Sequence, residues 1–165
     1  MDSSEEDEFR AFVSVRMERW RRAAYLLCHD WHLADDLVGT VVGKLFLHWR
    51  RVSATDNPDA YAQRVLTNAW IDERRRPWQR ELPADVLPEP SWTPPDSTGD
   101  REQLIRLLAR LGRRQRAVVV LRFYFDHSIE ETAEMLGIST GTVKSQSARA
   151  LEMLRTLSYA TGRPQ

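Results

Sequence analysis

Five prolines within residues 79–99 constrain the fold of this chain more than any other feature of its sequence. They are Pro83, Pro88, Pro90, Pro94 and Pro95, in a segment without helical periodicity. Proline lacks a backbone donor and disfavours helix at the residue before it. The segment is therefore predicted to be a semi-extended linker. It separates two halves, each small enough to be only marginally stable alone.

The half before the linker carries helix-type spacing of apolar residues. One stripe covers residues 9–27 and a second covers residues 33–49, with steps of three and four residues. Gly39 and Gly43 lie inside the second stripe and lower its helix propensity. Either packing offsets this cost, or the glycines allow close helix contact. Asn57-Pro58 marks a third helix start, with Asn as the N-cap and Pro at the first helical position.

The half after the linker also has helical patterns. Apolar residues over 104–111 predict a short helix that stops at Gly112. Residues 118–125 are rich in strand-forming side chains. Because polar residues precede them and no turn signal occurs before Asp126, we predict a buried helix there. No alternating strand-like run occurs in the sequence, so the predicted fold class is all-α, with two small helical domains.

Residues 128–154 have the layout of a helix-turn-helix. Ser128 and Glu131 form a capping box, and Gly137 suits the left-handed conformation of a tight turn. Ala133 is small where two helices must cross, and a second helix begins at Ser139-Thr140. Its predicted inward face consists of Val143, Ser147, Ala150, Leu151 and Leu154. Such a second helix lies in the DNA major groove, although an ordinary helical hairpin with a solvated polar face is the alternative.

Composition excludes several classes of site. The only cysteine is Cys28, so neither an intrachain disulfide nor a cysteine-based zinc site is expected. No apolar run approaches the ~18 residues of a membrane span, and the first eight residues hold five acids and no base. We therefore expect a cytoplasmic protein with no membrane insertion.

The formal net charge is zero, from 24 basic and 24 acidic residues, but the charges are segregated. Residues 9–78 and residues 100–165 are each net +4, whereas the first eight residues are net −5 and the linker is net −3. Two basic blocks of this kind suit a polyanionic partner. Ordinary surface charge is the alternative reading, and charge alone favours it.

The helix-turn-helix and its flanks, LGRRQRAVVVLRFYFDHSIEETAEMLGISTGTVKSQSARALEMLR, resemble region 4 of sigma-70 family factors. In the first half, ADDLVGTVVGKLFLHWRRV resembles region 2.2, and NPDAYAQRVLTNAWIDERRR resembles regions 2.3 and 2.4. Order and spacing match the small extracytoplasmic-function (ECF) group, in an actinobacterial-type branch. The resemblance implies an acidic tail over 1–8, region 2 over 9–78, a linker over 79–99, region 4 over 100–158 and a C-terminal tail over 159–165.

The resemblance also implies partners and site residues. Region 2.2 of the family docks on the β′ clamp helices of core RNA polymerase, which carries over to Asp35, Asp36, Leu37 and Val38. Gly39-Thr40 stands where many members have Gln-Glu, so two polar contacts to the clamp are absent. A favourable charge at a helix start is the alternative role for the acidic pair. Region 4 of the family rests on the β flap, and a separate anti-sigma factor is expected.

Promoter contacts follow from the same resemblance. In region 2, Asn68 matches the pocket for a flipped −10 base, and residues 50–56 match the loop that holds it. Tyr61 and Trp70 are candidate stacking surfaces or core residues, and Arg74, Arg75 and Arg76 match a phosphate-binding helix end. In region 4, the expected −35 contacts share the outward face of the second helix. They are Thr142, Lys144, Ser145, Gln146 and Arg149.

The function that the resemblance implies is promoter-specific initiation by core RNA polymerase. Because polymerase supplies catalysis and metal, we expect no catalytic residue, no metal and no cofactor in this chain. Two alternatives stay open. A stand-alone helix-turn-helix regulator would bind duplex DNA without polymerase, usually as a dimer. A sigma-like decoy would bind polymerase or another partner without opening promoters. Gly39-Thr40, which replaces the Gln-Glu of many members, is compatible with this alternative.

Overall fold

The computed structural model describes residues 1–73 and 99–160, with the side chains of 102–157 in the second range. These residues form α-helices joined by short turns, and no strand occurs among them. The all-α prediction is confirmed. The described residues fall into two compact units, one before and one after the proline-rich segment. Residues 79–98 of the predicted linker, Arg74–Arg76 and residues 161–165 of the predicted tail lie outside the described residues, whereas Gly99 and residues 159–160 belong to helices.

The described part of the first unit, residues 1–73, contains four helices. They are α1 (Ser3–Cys28), α2 (Trp31–Leu47), α3 (Trp49–Ser53) and α4 (Pro58–Asp72). Helices α1, α2 and α4 pack against one another, with α3 as a short turn between α2 and α4. Trp20, Leu27, Leu45 and Leu66 are enclosed between them. The apolar stripes of the sequence therefore face a common interior.

The acidic segment expected as a tail is the start of α1. Asp2 caps this helix, because its carboxylate accepts a hydrogen bond from the Glu5 backbone at 2.8 Å while Glu5 accepts one from the Asp2 backbone at 3.1 Å. Carboxylates near a helix N-terminus are favoured by the helix dipole. The acidic run thus stabilises a helix start, and the tail prediction for residues 3–8 is wrong in this respect.

The glycines of α2 do not serve close helix contact. A Cβ atom built at Gly39 or Gly43 meets nothing within 4 Å, and both residues are exposed. Of the two explanations in the sequence, packing elsewhere in α2 must offset their low propensity. Leu37, Val41 and Leu45 supply that packing on the opposite face.

The described part of the second unit, residues 99–160, contains four further α-helices. They are α5 (Gly99–Ala109), α6 (Arg113–Val119), α7 (Ile129–Leu136) and α8 (Thr140–Ala160). The predicted buried helix over 118–125 is confirmed, but its end is a π-turn over Val120–Tyr124. There the Phe125 backbone N–H donates to the Val120 carbonyl, five residues back, at 3.0 Å. The wider turn leaves Phe123 exposed while Val120 and Leu121 are buried.

The helix-turn-helix has a small apolar centre in which Val118, Ala133 and Val143 are in mutual contact. Gly137 adopts a φ of 65° at the end of α7, as predicted from its position. The predicted inward face of α8 is correct for Val143, Ser147 and Ala150. It is wrong for Leu151, which is 38% exposed, because Leu151 points about 100° away around the helix from the fully buried Ala150.

Candidate nucleic-acid interface

The outer face of α8 carries two unpaired cationic side chains. Lys144 and Arg149 are both exposed, and neither makes an ion pair within residues 1–73 or 102–157. Ser145 and Ala148 are exposed on the same side of the helix. Cations and hydroxyls so arranged can donate to phosphates and to base edges in a major groove.

The first turn of α8 is set by hydroxyl groups. Ser139 Oγ accepts a hydrogen bond from the Thr142 backbone N–H at 3.1 Å and lies 2.8 Å from Thr142 Oγ1. Thr142 is half-buried, so part of its bonding capacity is used within the protein. Its hydroxyl helps to define where α8 begins.

Gln146 differs from the other predicted contacts on α8. It is half-buried, and its side-chain carbonyl oxygen is enclosed without a donor from the described residues. A buried polar atom without a partner is costly. Gln146 therefore borders the interior in this structure, whereas Lys144, Ser145 and Arg149 face solvent.

Helix α7 is held by two polar contacts at its start. Ser128 Oγ accepts from the Glu131 backbone at 3.0 Å, and the Ser128 backbone donates to Glu131 Oε1 at 3.1 Å, which confirms the capping box. Glu131 also lies 3.2 Å from Nδ1 of the buried His127. The Ser128 backbone hydrogen bond, followed by that of His127, lowers the pKa of the Glu131 carboxyl. The carboxylate therefore holds the N-terminus of α7 in place.

The four residues predicted to contact polymerase point in two directions. Asp35 and Asp36 are exposed on α2, whereas Leu37 and Val38 are buried in the core of the first unit. Arg21 Nε on α1 lies 2.6 Å from Asp35 Oδ1, and the Arg21 guanidinium covers the Trp31 ring at 4.4 Å. The sequence did not predict this ion pair between Arg21 and Asp35. The pattern that could have indicated it is the pair of opposite charges on two predicted helices joined by a short turn.

Asp36 stands apart from this ion pair. Its carboxylate makes no ion pair or hydrogen bond with the described part of the chain, although its backbone carbonyl accepts from Thr40 Oγ1 at 3.1 Å. The two adjacent acids therefore have different environments. One is tied to α1, and the other is available to a partner.

The predicted −10 residues are spread along α4. Tyr61 and Asn68 are half-buried, whereas Trp70 is buried and belongs to the core in this structure. Asn68 follows Pro58 by ten residues, which corresponds to about 15 Å along the helix. Asn68 is therefore distant, along the axis of α4, from the loop that precedes Pro58.

No group of three or more His, Cys, Asp or Glu side chains within residues 1–73 and 102–157 is arranged to hold a metal ion. None of the described helices is long and apolar enough to cross a membrane.

Comparisons with known protein families match both halves of the chain. The family described as Sigma-70 region 2 matches residues 6–80, and the family described as Sigma-70, region 4 matches residues 101–154. Together the two matches cover both structural units.

Curated relatives extend the similarity over nearly the whole chain. The chain is 38% identical to an RNA polymerase sigma-E factor of Streptomyces coelicolor, over 90% of this chain and 84% of that protein. It is 31% identical to the ECF RNA polymerase sigma factor ShbA of Streptomyces griseus, over 76% of this chain and 72% of that protein.

Two solved structures share the fold. One is the sigma factor RpoE in complex with the anti-sigma factor NepR from Bartonella quintana, at a TM-score of 0.77 and 21% identity, over 94% of this chain and 99% of that one. The other is CnrH in complex with the cytosolic domain of CnrY, at 0.64 and 23%, over 94% and 90%. Because both family models match and the curated relatives are similar over most of the chain, the chain belongs to the sigma-70 family of RNA polymerase sigma factors, in its extracytoplasmic-function group.

Proposed function

We propose that this sigma factor reads the −35 element with the outer face of α8. The observation that carries the proposal is the exposure of Lys144 and Arg149 on one face, without internal ion pairs. Ser145 lies beside them and can add a hydroxyl contact. Thr142 and Gln146 contribute from the edges of this face, Thr142 partly by fixing the first turn. The cations position the helix on phosphates and guanine edges.

Core RNA polymerase contacts α2 through its exposed acidic side. We assign the direct contact to Asp36, because its carboxylate is unpaired. Asp35 keeps α1 and α2 in register through Arg21. Leu37 and Val38 support the surface from beneath, since both are buried. This division of roles explains how a motif of four residues presents one charged contact.

The −10 element is opened and held by the first unit. Asn68 and Tyr61 are half-buried on α4, and we assign to them a polar and an aromatic contact with an unstacked strand. Arg74, Arg75 and Arg76, which follow the described residues of the first unit in sequence, are proposed to bind phosphate. Trp70 acts from the core, because it is buried.

Three further properties complete the proposal. Polymerase supplies catalysis and metal, so this chain is proposed not to be an enzyme. It acts in the cytoplasm, where core polymerase and promoters are found. A separate anti-sigma factor is proposed as its regulator, by analogy with the two complexes that share its fold.

Reconstituted transcription tests the proposed function. The full chain is added to sigma-free core polymerase from a high-GC actinobacterium, with fragmented genomic DNA of the same host as template. Discrete 5′ ends that depend on the chain and share two upstream elements are expected. Core binding without transcripts would contradict the proposal in favour of a decoy. Duplex binding without core binding would contradict it in favour of a stand-alone regulator.

A further inference from the structure

Two pairs of side chains meet where α1 packs against α2. Arg21 and Tyr25 are four residues apart on α1, and Trp31 and Asp35 are four residues apart on α2. Residues at this spacing lie on the same face of a helix. Because the two helices pack against each other, one cation, two aromatic rings and one carboxylate come together at their contact.

The aromatic rings give the Arg21 guanidinium a fixed surface. The rings of Tyr25 and Trp31 are nearly parallel, with an interplanar angle of 9° and 4.0 Å between their centroids. Trp31 is buried, and the central carbon of the Arg21 guanidinium lies 4.4 Å from the centroid of its ring. A cation in this position is attracted by the electron-rich face of the indole. The guanidinium is therefore held before any contact with Asp35 is counted.

This support makes the ion pair with Asp35 firmer than a typical surface pair. Nε of Arg21 donates to Oδ1 of Asp35 at 2.6 Å. Exposed ion pairs usually contribute little, because two flexible side chains must be ordered to form them. The planar guanidinium stacked on Trp31 is already ordered, so less of that entropy is lost when Asp35 binds it. The Asp35 side chain is 56% exposed and is nevertheless held against α1.

The two neighbouring acids therefore differ in what a partner must displace. A cation that approaches Asp35 competes with the Arg21 guanidinium for the carboxylate. A cation that approaches Asp36 meets no such competitor, because this carboxylate makes no ion pair with the described part of the chain.

We propose that Arg21 withholds Asp35 from core RNA polymerase, so that only Asp36 of this acidic pair makes a direct contact with a cationic group of the polymerase. The inference rests on the proposed function, in which the exposed acidic side of α2 meets the polymerase. It adds a residue of α1 that acts through Asp35 and lowers the affinity, and Arg21 is thus a positioning residue. Since complementary charges across an interface favour association, releasing Asp35 strengthens core binding.

Titration of labelled core polymerase with the full chain tests the proposal. Arg21→Met leaves an unbranched side chain that can still cover Trp31 but has no charge. It is expected to lower the Kd about three-fold or more, with a larger effect at low salt. Arg21→Lys keeps the cation and is expected to stay closer to the unmodified chain. Arg22→Gln is the charge-matched control, since Arg22 is exposed on α1 and pairs with Glu18 of the same helix at 3.6 Å.

A double-mutant cycle separates the withheld carboxylate from the charge of Arg21 itself. It is measured at about 0.15 M salt, where screening over about 8 Å leaves mainly direct contacts. Asp35→Asn is expected to change the Kd less than about two-fold in the unmodified chain, but to raise it about three-fold or more in the Arg21→Met background. Urea unfolding of every variant checks the fold, and Arg21→Gln replaces Arg21→Met if the methionine variant is unfolded.

Two results would overturn the proposal. One is a Kd for Arg21→Met equal to or above that of the unmodified chain. The other is the same effect of Asp35→Asn in both backgrounds, which would show that Arg21 acts by its own charge alone. Asp36→Asn is titrated in parallel. If it leaves core binding unchanged, the proposed contact on α2 fails as a whole, whereas a weakened Asp36→Asn without coupling in the cycle removes only the role of Arg21.

Discussion

Arg21 on α1 and Asp35 on α2 are joined by a 2.6 Å contact between Nε and Oδ1, while the neighbouring Asp36 carboxylate has no such partner among the described residues. Adjacent residues on a helix point about 100° apart, so only one of the two acids can face α1. Asp35 therefore makes a contact within the first unit, whereas the Asp36 carboxylate points outward.

Asp36→Asn is expected to raise the Kd for core polymerase about three- to ten-fold at low salt, with unchanged thermal stability. The effect should shrink as salt is raised, because the contact is exposed. Asp35→Asn is the matched comparison. It should lower the free energy of unfolding by up to about 1 kcal/mol and affect core binding less. Titration of labelled core polymerase measures the first quantity, and urea unfolding measures the second. A larger binding loss for Asp35→Asn would reverse the assignment.

Gly39→Ala and Gly43→Ala are each expected to stabilise the chain by about 1 kcal/mol, since alanine is favoured over glycine within a helix. The new methyl groups meet nothing within 4 Å. Urea unfolding of the full chain gives the measurement. Destabilisation by either change would contradict the open space that the structure shows beside Gly39 and Gly43.

Asp59→Ala is expected to destabilise the first unit by about 1–3 kcal/mol, because it leaves a buried donor unpaired. The indole N–H of the buried Trp20 donates to Asp59 Oδ1 at 3.0 Å and so ties α1 to α4. Asp56→Ala, at an exposed loop position, is the control. Equal unfolding midpoints for the two variants would contradict a structural role for this hydrogen bond.

Cys28 is expected to react slowly with thiol reagents. Burial raises the pKa of its thiol from the ordinary 9.0 to about 12, and its Sγ donates to the Asp30 carbonyl at 3.2 Å. Only the thiolate is nucleophilic, so alkylation at pH 8 should be about a thousand-fold slower in the folded chain than in urea. Because the unfolded chain loses this proton first, stability should fall as the pH rises from 9.0 toward about 12. Similar alkylation rates with and without urea would refute this expectation.

Arg149→Ala is expected to lower −35-dependent transcription about ten-fold, consistent with the ~1–3 kcal/mol of a base contact. Arg155→Ala is the control, since Arg155 is exposed on α8 beyond the helix-turn-helix. Footprinting and transcript levels with the holoenzyme provide the readout. An unchanged footprint and transcript level in Arg149→Ala would remove this residue from the interface.

Much of the architecture was predictable because it depends on residues within a few positions of each other. The Ser128 capping box, the Asn57 cap before Pro58 and the left-handed Gly137 all follow from local hydrogen bonding and backbone sterics. The polar residues before position 118 and the lack of a turn signal before Asp126 likewise predicted the helix over 118–125, although not its π-turn. That turn is defined by the hydrogen bond from the Phe125 backbone N–H to the Val120 carbonyl, five residues back, which apolar periodicity does not encode.

The sequence by itself thus determined the helices, their caps and the order of two family regions, since each is written in short-range patterns. Tertiary structure decided which side of each helix is covered. It buried Trp70, left Leu151 exposed, and joined Arg21 to Asp35 across fourteen positions of the chain. These outcomes depend on which helices pack together, because burial and long-range ion pairs are properties of contacts between helices and not of any one segment.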